Sequence, residues 1–149
     1  MSAPSLTLRP ATQADMPFLI ELRRLTMSEH FERLDIAYNA ERQLQRITDG
    51  FEHANILLID GKEAGLLKLD KTQPPWMLMQ IQIHPQHQKQ GHGERLLRAI
   101  LHDAQSERKG VTLKVLKKNP AQKLYQRVGF RAEKEDDLSF FMYFYPSSP

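Results

Sequence analysis

The sequence has no cysteine among its 149 residues. A disulfide framework, a thiolate metal site and a cysteine-bound acyl intermediate are therefore excluded. No uninterrupted apolar run approaches the roughly 20 residues of a membrane-spanning helix, and the mean hydropathy of -0.54 is typical of a soluble globular protein. We therefore expect no membrane partner.

A strong excess of charge of one sign is also missing. The chain has 21 Lys and Arg residues against 18 Asp and Glu residues, a formal net charge of +3. No basic run is long or interleaved with aromatic residues, so we expect no nucleic-acid partner. The first residues lack the basic and long apolar segments of a secretory signal, which predicts a cytoplasmic location.

The length predicts one domain over residues 1–149, with residues 146–149 frayed. Leu6–Pro10 alternates like a short strand and stops at proline. Apolar residues at helical spacing predict a helix over residues 15–27, with Arg23 and Arg24 on its wetter side. A more polar helix is expected over residues 39–48.

A hairpin and a further strand are predicted next. Residues 55–59 and 64–69 flank Asp60 and Gly61, a dipeptide that tolerates the positive φ angles of a tight turn. After a proline break, Trp76–Ile83 alternates as a central strand.

A glycine-rich loop then connects this strand to a helix. Gly91 and Gly93 open the helix, whose apolar stripe consists of Leu96, Leu97, Ile100, Leu101 and Ala104. The segment Arg108-Lys109-Gly110 is predicted to end it. The first N–H groups of such a helix lack internal partners and its dipole is positive there, so the loop suits an anion. A dinucleotide-binding fingerprint is disfavoured because the third glycine position is Leu96.

The remaining chain predicts a strand, a short helix and a final strand. Val111–Val115 reads as a strand, and the helix begins at Asn119-Pro120 and ends at Gly129. The aromatic segment from Leu138 to Tyr145 is typical of a last strand. Its part Ser139–Tyr145 is expected near a sheet edge, where it would support a homodimer.

Two motifs in this order resemble the GNAT N-acetyltransferase superfamily. Gln88-Lys-Gln-Gly-His-Gly93 matches the pattern [Arg/Gln]-x-x-Gly-x-[Gly/Ala], and residues 119–130 resemble the pattern Asn-x-x-Ala-x-x-Leu-Tyr-x-x-x-Gly-Phe, with one residue fewer between Asn119 and Ala121. The order of predicted elements extends the resemblance over nearly the whole chain. The resemblance implies an α/β (α+β) fold with a central mixed, mostly antiparallel, twisted sheet. Six to seven strands and about four helices are implied, with the sheet splayed in the middle to admit acetyl-CoA.

The resemblance also implies which residues bind this co-substrate. Pyrophosphate would lie on the glycine loop, and the pantetheine arm would pair with backbone at the end of the preceding strand. The implied cofactor-binding residues are Ile81, Gln82, Ile83, Gln88, Lys89, Gln90, Gly91, His92, Gly93, Asn119 and Tyr125. A solvated lysine is an alternative reading of Lys89, and a helix N-cap is a compatible second role for Asn119.

Transfer to an amine needs a proton for the departing thiolate. Tyr125 matches the general acid of the family, and a phenol with a reference pKa near 10 stays protonated at neutral pH. Many family members place a Glu on the strand that here carries Gln80 and Gln82, which are no useful proton acceptors. A water chain, His84, or a residue such as His30 or Glu32 would have to substitute. An α-amino acceptor would need less help than a lysine.

The predicted activity is acetyl-CoA-dependent N-acetyl transfer to a primary amine of a small molecule or peptide through a ternary complex. Arg23 and Arg24 are the candidate substrate-binding residues, because an arginine can hold a carboxylate. A non-catalytic acyl-CoA-binding module is the alternative. No metal site is expected, since His84, His87 and His92 have no supporting carboxylates.

Overall fold

The computed structural model describes residues 4–33, 37 and 39–147, and only the backbone of residues 29–31 and 33. Residues 148 and 149, part of the terminus predicted to fray, lie outside the described residues. The strands are β1 (Leu6–Pro10), β2 (Ala54–Ile59), β3 (Lys62–Asp70), β4 (Trp76–Ile83), β5 (Val111–Leu116), β6 (Arg131–Glu135) and β7 (Ser139–Phe144). The helices are α1 (Met16–Arg33), α2 (Ala40–Thr48), α3 (His92–Ser106) and α4 (Ala121–Val128). Within the described ranges, no helix combines the length and apolarity needed to cross a membrane.

The strands form one mixed sheet in the order β1-β2-β3-β4-β5-β7-β6. β4 and β5 pair in parallel, because the helix α3 that connects them returns the chain to the same end of the sheet. The pairs β1–β2, β2–β3, β5–β7 and β6–β7 are antiparallel. The predicted mixed, mostly antiparallel sheet with about four helices is confirmed.

Two compact units divide the described residues. One unit runs up to Lys68 and includes Gln80–His92, whereas the other contains Leu69–Met79 and the described chain from Gly93 onward. Each unit is described separately below, and a single domain over residues 1–149 stays a prediction.

In the first unit, the predicted hairpin is confirmed. Asp60 has φ 50° and Gly61 has φ 81°, so both turn residues adopt the left-handed conformation that a two-residue hairpin loop favours. The core of this unit contains Leu19, Leu22, Ile47, Ala54, Ile56 and Leu66, which come from two helices and two strands. Burial of these side chains is the main stabilising contribution to this part of the fold.

Helix α1 differs from its prediction in two respects. It extends to Arg33, beyond the predicted end near residue 27. Arg23 does not lie on a wet side, since only 6% of the residue is exposed. Its Nε donates a hydrogen bond of 2.6 Å to Oε1 of Gln43 on α2. The guanidinium is buried because a partner on another helix satisfies it, which the spacing within α1 does not reveal.

In the second unit, the predicted apolar stripe of α3 is buried over its whole length. The helix ends at Ser106, and Arg108 takes the left-handed conformation at φ 56°. Gly110 therefore does not provide the left-handed residue after the helix. An added Cβ at Gly110 would lie 2.6 Å from the hydroxyl oxygen of Tyr143, so this glycine permits a close side-chain approach.

The C-terminal strands correct a further expectation. β7 lies one strand inside the sheet, and β6 forms the edge beside it. All five residues of β6 are exposed, and four of them are charged. An exposed charged edge resists pairing with another chain. The apolar edge on which the homodimer was predicted is therefore covered, and the homodimer stays a prediction without that support.

Candidate active site

The last residues of β4 carry the first group of predicted site residues. Pairing between β4 and β5 covers Trp76–Leu78 against Val111–Leu113, although both strands continue past these residues. On its other side β4 approaches β3 closely, since a Cβ added at Gly65 would lie 2.3 Å from the carbonyl oxygen of Gln82. The amide nitrogen of His84 donates to the carbonyl oxygen of Ala64 at 2.7 Å. The end of β4 is thus held by β3.

A short 3₁₀ turn, Pro85–His87, follows β4 and starts the glycine loop. Nε2 of Gln88 donates to the carbonyl oxygen of Ile83 at 2.8 Å, which ties the loop back to the end of the strand. Nε2 of Gln90 donates to the carbonyl oxygen of Gln86 at 3.3 Å. These two glutamine side chains fix the backbone conformation of the loop, so the loop is preorganised.

Two residues of this loop adopt the left-handed conformation. Lys89 has φ 62° and Gly91 has φ 82°. A Cβ added at Gly91 would have no atom within 4 Å, so the glycine faces open space. Glycine is therefore favoured here by its backbone angle rather than by crowding, and the space beside it is available to a ligand.

Helix α3 begins directly after this glycine. Its first N–H groups have no intrahelical acceptors and its dipole is positive at this end. His92, the first residue, is 3% exposed, and its Nε2 lies 3.3 Å from Oε1 of Gln90. Its Nδ1 is buried without a hydrogen-bond partner among the residues that the structure describes. This arrangement has donors to offer to an anion such as a pyrophosphate.

A carboxylate in the first turn of α3 would repel such an anion if it were unpaired. Glu94 accepts from Nη2 of Arg127 at 2.9 Å and from Nε of Arg98 at 3.1 Å. Arg127 first and Arg98 second hold the pKa of Glu94 below its usual value. The two cations offset the negative charge next to the loop, and the contact with Arg127 also joins α3 to α4.

In the second unit, Asn119 precedes α4. Its Oδ1 accepts a hydrogen bond of 2.9 Å from the backbone N–H of Ala121. The side-chain amide nitrogen is not needed for this contact, which leaves a donor for a ligand. The N-cap position of α4 is occupied by Pro120, so the predicted N-cap role of Asn119 is corrected to a contact with the first helical N–H from one residue before the cap, and the predicted contact with acetyl-CoA stays a prediction.

Tyr125 lies in the last turn of α4 and is 8% exposed. Burial raises the pKa of its hydroxyl to about 12. The ring packs edge-to-face on Phe130 with ring centroids 5.9 Å apart. Gly129, at φ 124°, ends the helix, and the backbone N–H of Phe130 then donates to the carbonyl oxygen of Tyr125. The Gly-Phe pair therefore holds the tyrosine ring in place.

The two candidate substrate-binding arginines lie in different environments. Arg23 is buried against α2, as described above. Arg24 is exposed and forms an ion pair with Glu21, its Nε lying 3.0 Å from a carboxylate oxygen. These two side chains do not form one carboxylate clamp in the structure.

Lys68 is a buried residue that reasoning from the sequence missed. It lies on β3, is 0% exposed and donates from Nζ to the carbonyl oxygens of Arg46, Ile47 and Asp49 at 2.9, 2.6 and 2.7 Å. Burial lowers its pKa to about 8, and the charge of nearby Arg23 acts in the same direction. The alternation of β3 placed a lysine opposite a helix end, but no local signal in the sequence identifies that helix end as its partner.

Each unit carries features that suit a nucleotide thioester. In the first, the open left-handed turn at Gly91, directly before the start of α3, suits its phosphates. In the second, Asn119 has a free donor for an amide arm, and Tyr125 carries a hydroxyl that stays protonated at neutral pH. The chain therefore has groups able to bind an anionic carrier and to donate a proton.

Comparison with known proteins agrees with this chemistry. The family model for the acetyltransferase (GNAT) domain matches residues 52–132, more than half of the chain. The protein belongs to the GNAT acetyltransferase family. It is an N-acetyltransferase, and acetyl-CoA is its co-substrate. No protein of curated function matches the sequence.

Solved structures share the fold. The PaiA N-acetyltransferase from Thermoplasma acidophilum, solved in complex with coenzyme A, has a TM-score of 0.74 and 18% identity, with 95% of this chain and 99% of that chain covered. An acetyltransferase from Thermus thermophilus has a TM-score of 0.73 and 21% identity, with coverage of 93% and 96%. The ribosomal-protein-S18-alanine N-acetyltransferase from Escherichia coli has a TM-score of 0.70 and 18% identity, with coverage of 97% and 96%. The predicted GNAT-like fold is confirmed.

Proposed function

We propose that this protein transfers the acetyl group of acetyl-CoA directly to a primary amine of a small molecule or peptide through a ternary complex. The observation that carries the proposal is the open left-handed turn at Gly91, which leads straight into the uncompensated N-terminus of α3. A pyrophosphate needs both the backbone donors and the empty space that this turn provides.

The residues of the loop would hold the phosphates. Backbone N–H groups from Lys89 to Gly93 would be the donors, since that of Gln88 already donates to the carbonyl oxygen of Pro85, and Lys89 would add charge. The pantetheine arm would add to β4 at Ile81–Ile83, because β4 continues beyond the residues that pair with β5. An extended amide-containing arm pairs with such a strand as a peptide would. In the second unit, the side-chain amide nitrogen of Asn119 is a donor suited to an amide-containing arm.

Acetyl-CoA supplies the acetyl group as a thioester, and its carbon–sulfur bond breaks as the new carbon–nitrogen bond forms. The amine nitrogen attacks as a neutral nucleophile and gives up one proton to water. Tyr125 donates its hydroxyl proton to the departing sulfur and recovers a proton from solvent. A pKa raised to about 12 keeps this donor protonated throughout the physiological range. No cysteine is present to carry the acetyl group, which favours the direct route.

The reaction also needs a group that accepts the proton of the amine. His84 was one predicted substitute, but its Nδ1 accepts from the backbone N–H of Gln86 at 3.1 Å, which assigns the ring proton to Nε2. The ring is therefore arranged to donate at Nε2. The side chain of His30 lies outside the described side chains, and Glu32 is exposed. In this proposal water is the proton acceptor, so the amine has to reach the site uncharged.

A non-catalytic acyl-CoA-binding module is the second candidate function. The observation that favours it is the pair of amides, Gln80 and Gln82, on the strand where many family members carry a carboxylate. Such a module would use the glycine loop in the same way but would leave the thioester intact.

The two functions are separated by measuring thiol release from acetyl-CoA with a panel of amines. The panel should contain amino acids, peptides with free N-termini and peptides with only a lysine amine. We expect amine-dependent release of free CoA and a matching acetylated product by mass spectrometry. Calorimetric binding of acetyl-CoA without turnover of any amine would favour the binding module, and absence of binding would contradict both functions.

A further inference from the structure

Two amide side chains on β4 are not used by the proposed acetyl-CoA site. Gln80 and Gln82 are two residues apart on the strand, so their side chains lie on the same face, about 7 Å apart along the strand. Nε2 of Gln80 donates to the carbonyl oxygen of Arg46 at 3.2 Å, at the end of α2. Gln82 is 8% exposed. This face of β4 is therefore the one that α2 approaches.

Both amides have an oxygen that lacks a donor. Oε1 of Gln80 and Oε1 of Gln82 are buried and accept no hydrogen bond from the residues described in the structure. The orientation of Gln80 is determined by Arg46, because a flipped amide would place two acceptors against each other. An unsatisfied buried acceptor is unfavourable, so a ligand that supplies N–H donors would be favoured there.

The neighbouring cation has no hydrogen left for these oxygens. Nζ of Lys68 has three N–H groups, and its three carbonyl partners use all of them. One of these partners, the carbonyl oxygen of Arg46, is also the acceptor for Gln80. The ammonium of Lys68 therefore lies close to the amide of Gln80 but does not donate a hydrogen bond to its oxygen. Arg23 adds a second positive charge near Lys68, whereas Asp49 and Glu52 act on that ammonium with the opposite sign.

We infer that Oε1 of Gln80 and Oε1 of Gln82 bind the N–H groups of the acceptor amine and that this amide pair selects α-amino groups over lysine side chains. This inference rests on the proposed function and names its substrate class.

The selectivity follows from the charge of the groups around the nitrogen. A carboxylate would stabilise an ammonium ion, but an amide oxygen is neutral, and the ammonium of Lys68 shares the carbonyl oxygen of Arg46 with Gln80. The site therefore accepts the uncharged amine. An α-amino group has a reference pKa near 8, so a sizeable fraction is neutral at pH 7.5, whereas only about one lysine in a thousand is neutral at that pH. A free peptide N-terminus or an amino acid fits this requirement.

The test compares two peptides of the same composition. One has a free N-terminus and an acetylated lysine, and the other has an acetylated N-terminus and a free lysine. For the wild-type enzyme we expect kcat/KM to be at least ten-fold higher with the free N-terminus. Gln80→Leu and Gln82→Leu should each raise KM for the amine about ten-fold, the effect of one hydrogen bond between neutral groups, with KM for acetyl-CoA unchanged.

Gln80→Glu and Gln82→Glu provide a second readout in case a leucine variant does not fold. A carboxylate at these positions should narrow the preference between the two peptides and move the rising limb of the pH–rate profile. Gln105→Leu is the matched control, because the side chain of Gln105 binds only the backbone of Ser147 and lies outside the proposed site. It should leave the peptide preference as it is.

Failure of this inference differs from failure of the proposed function. Transfer with unchanged amine KM and peptide preference in all four glutamine variants would overturn the inference alone. A wild-type preference for the lysine peptide would also overturn it. Calorimetric binding of each peptide to enzyme saturated with CoA tests the contact without turnover, and equal peptide affinity in wild type and variants would contradict it even if no acetyl transfer were observed.

Discussion

The protein contains two strand-to-helix connections that differ in what lies beside the first N–H groups of the helix. Between β4 and α3, the chain turns through left-handed residues at Lys89 and Gly91, and a Cβ added at Gly91 would meet no atom within 4 Å. Between β5 and α4, the side chain of Asn119 accepts from the N–H of Ala121, the first residue of the helix. The first connection is open to a ligand, and the second is closed by the protein itself.

This difference indicates that the N-terminus of a helix can bind an anion only when its first backbone N–H groups have no partner within the protein. Both helices have unpaired N–H groups in their first turn by geometry. At α4 one of these donors already has a side-chain partner, so an anion gains less there. At α3 the donors and the space beside Gly91 remain available. Four predictions probe this contrast, beginning with the largest expected effect.

Replacing Gly91 by glutamate should abolish measurable acetyl-CoA binding while the protein remains folded. The new side chain would occupy the open space, and its negative charge would repel a pyrophosphate. Titration calorimetry with acetyl-CoA measures the affinity, and circular dichroism verifies folding.

Gly61→Glu is a matched control for this variant. Gly61 has φ 81° against 82° for Gly91, and an added Cβ meets nothing within 4 Å at either position. Both substitutions therefore carry the same backbone strain, but Gly61 lies in the β2–β3 hairpin. Acetyl-CoA affinity should survive in Gly61→Glu, and an equal loss in both variants would mean that strain, rather than a phosphate site, explains the effect.

Tyr125→Phe should lower kcat by roughly 10²–10⁴, the usual span for losing a general acid, while acetyl-CoA affinity changes little. The aromatic ring and its packing on Phe130 remain, so only the proton donor is lost. Because burial raises the pKa of Tyr125 to about 12, this acid should cause no descending limb in the wild-type profile below about pH 11. Steady-state kinetics across pH measures both effects.

Tyr143→Phe removes a hydroxyl from β7 and should leave kcat unchanged. An unaltered kcat in Tyr125→Phe would exclude Tyr125 as the acid. If acetyl-CoA affinity fell by the same factor as the rate, the hydroxyl would instead be assigned to binding.

A third helix start, before α1, extends the contrast because it too is closed by a side chain. Asp15 accepts from the N–H of Thr12 and pairs with Arg9 at 2.8 Å. Arg9 is the main reason that the pKa of Asp15 falls to about 2. Asp15→Asn should lower the free energy of unfolding by roughly 1–2 kcal/mol at pH 7.

The pH dependence of this difference has a definite sign. The folded pKa of Asp15 is depressed, so the stabilisation is fully present above pH 4 and disappears as the pH falls toward 2. Urea unfolding of wild type and Asp15→Asn over this range measures it. Glu21→Gln, at the exposed pair with Arg24, should change stability much less, because solvent screens an exposed ion pair. A difference for Asp15→Asn that stayed constant down to pH 2 would contradict the ion-pair explanation.

The smallest effect is expected from Asn119→Ala, which removes the side-chain acceptor of the first N–H of α4 at a cost of about 1 kcal/mol in the free energy of unfolding. Asn39→Ala removes the N-cap side chain of α2, where Oδ1 of Asn39 accepts from the N–H of Arg42 at 3.0 Å. Both variants should lose similar stability in urea unfolding. Only Asn119→Ala should also weaken acetyl-CoA binding, by about ten-fold for one lost hydrogen bond. Equal affinities would limit Asn119 to its contact with α4.

Most element positions were predictable because they depend on local patterns. The Asp60-Gly61 hairpin and the apolar stripe of α3 follow from turn chemistry and helical periodicity. β6 was not singled out, since five exposed and mostly charged residues have no apolar alternation. It forms a strand because β7 provides a partner for its backbone.

The candidate site shows the same division. The motif residues around Gly91 and Tyr125 were identifiable from their spacing, and their conformations are properties of neighbouring residues: a left-handed turn before a helix, and a ring held by the Gly-Phe pair that follows it. The neutral amides on β4 were visible in the sequence as well. Their lack of donors was not, because a hydrogen-bond partner depends on every residue that surrounds the group.

Local chemistry thus specified the strands, the helices and the two motifs, since turns, caps and periodicity act over a few neighbouring residues. Long-range packing determined which charged residues are buried. Arg23 is buried because Gln43, 20 residues further along the chain, accepts a hydrogen bond from its guanidinium. Lys68 is buried because carbonyl oxygens at the end of α2 accept hydrogen bonds from its ammonium. Burial of a cation depends on carbonyl and amide partners that distant segments supply, and their positions exist only after the chain has folded.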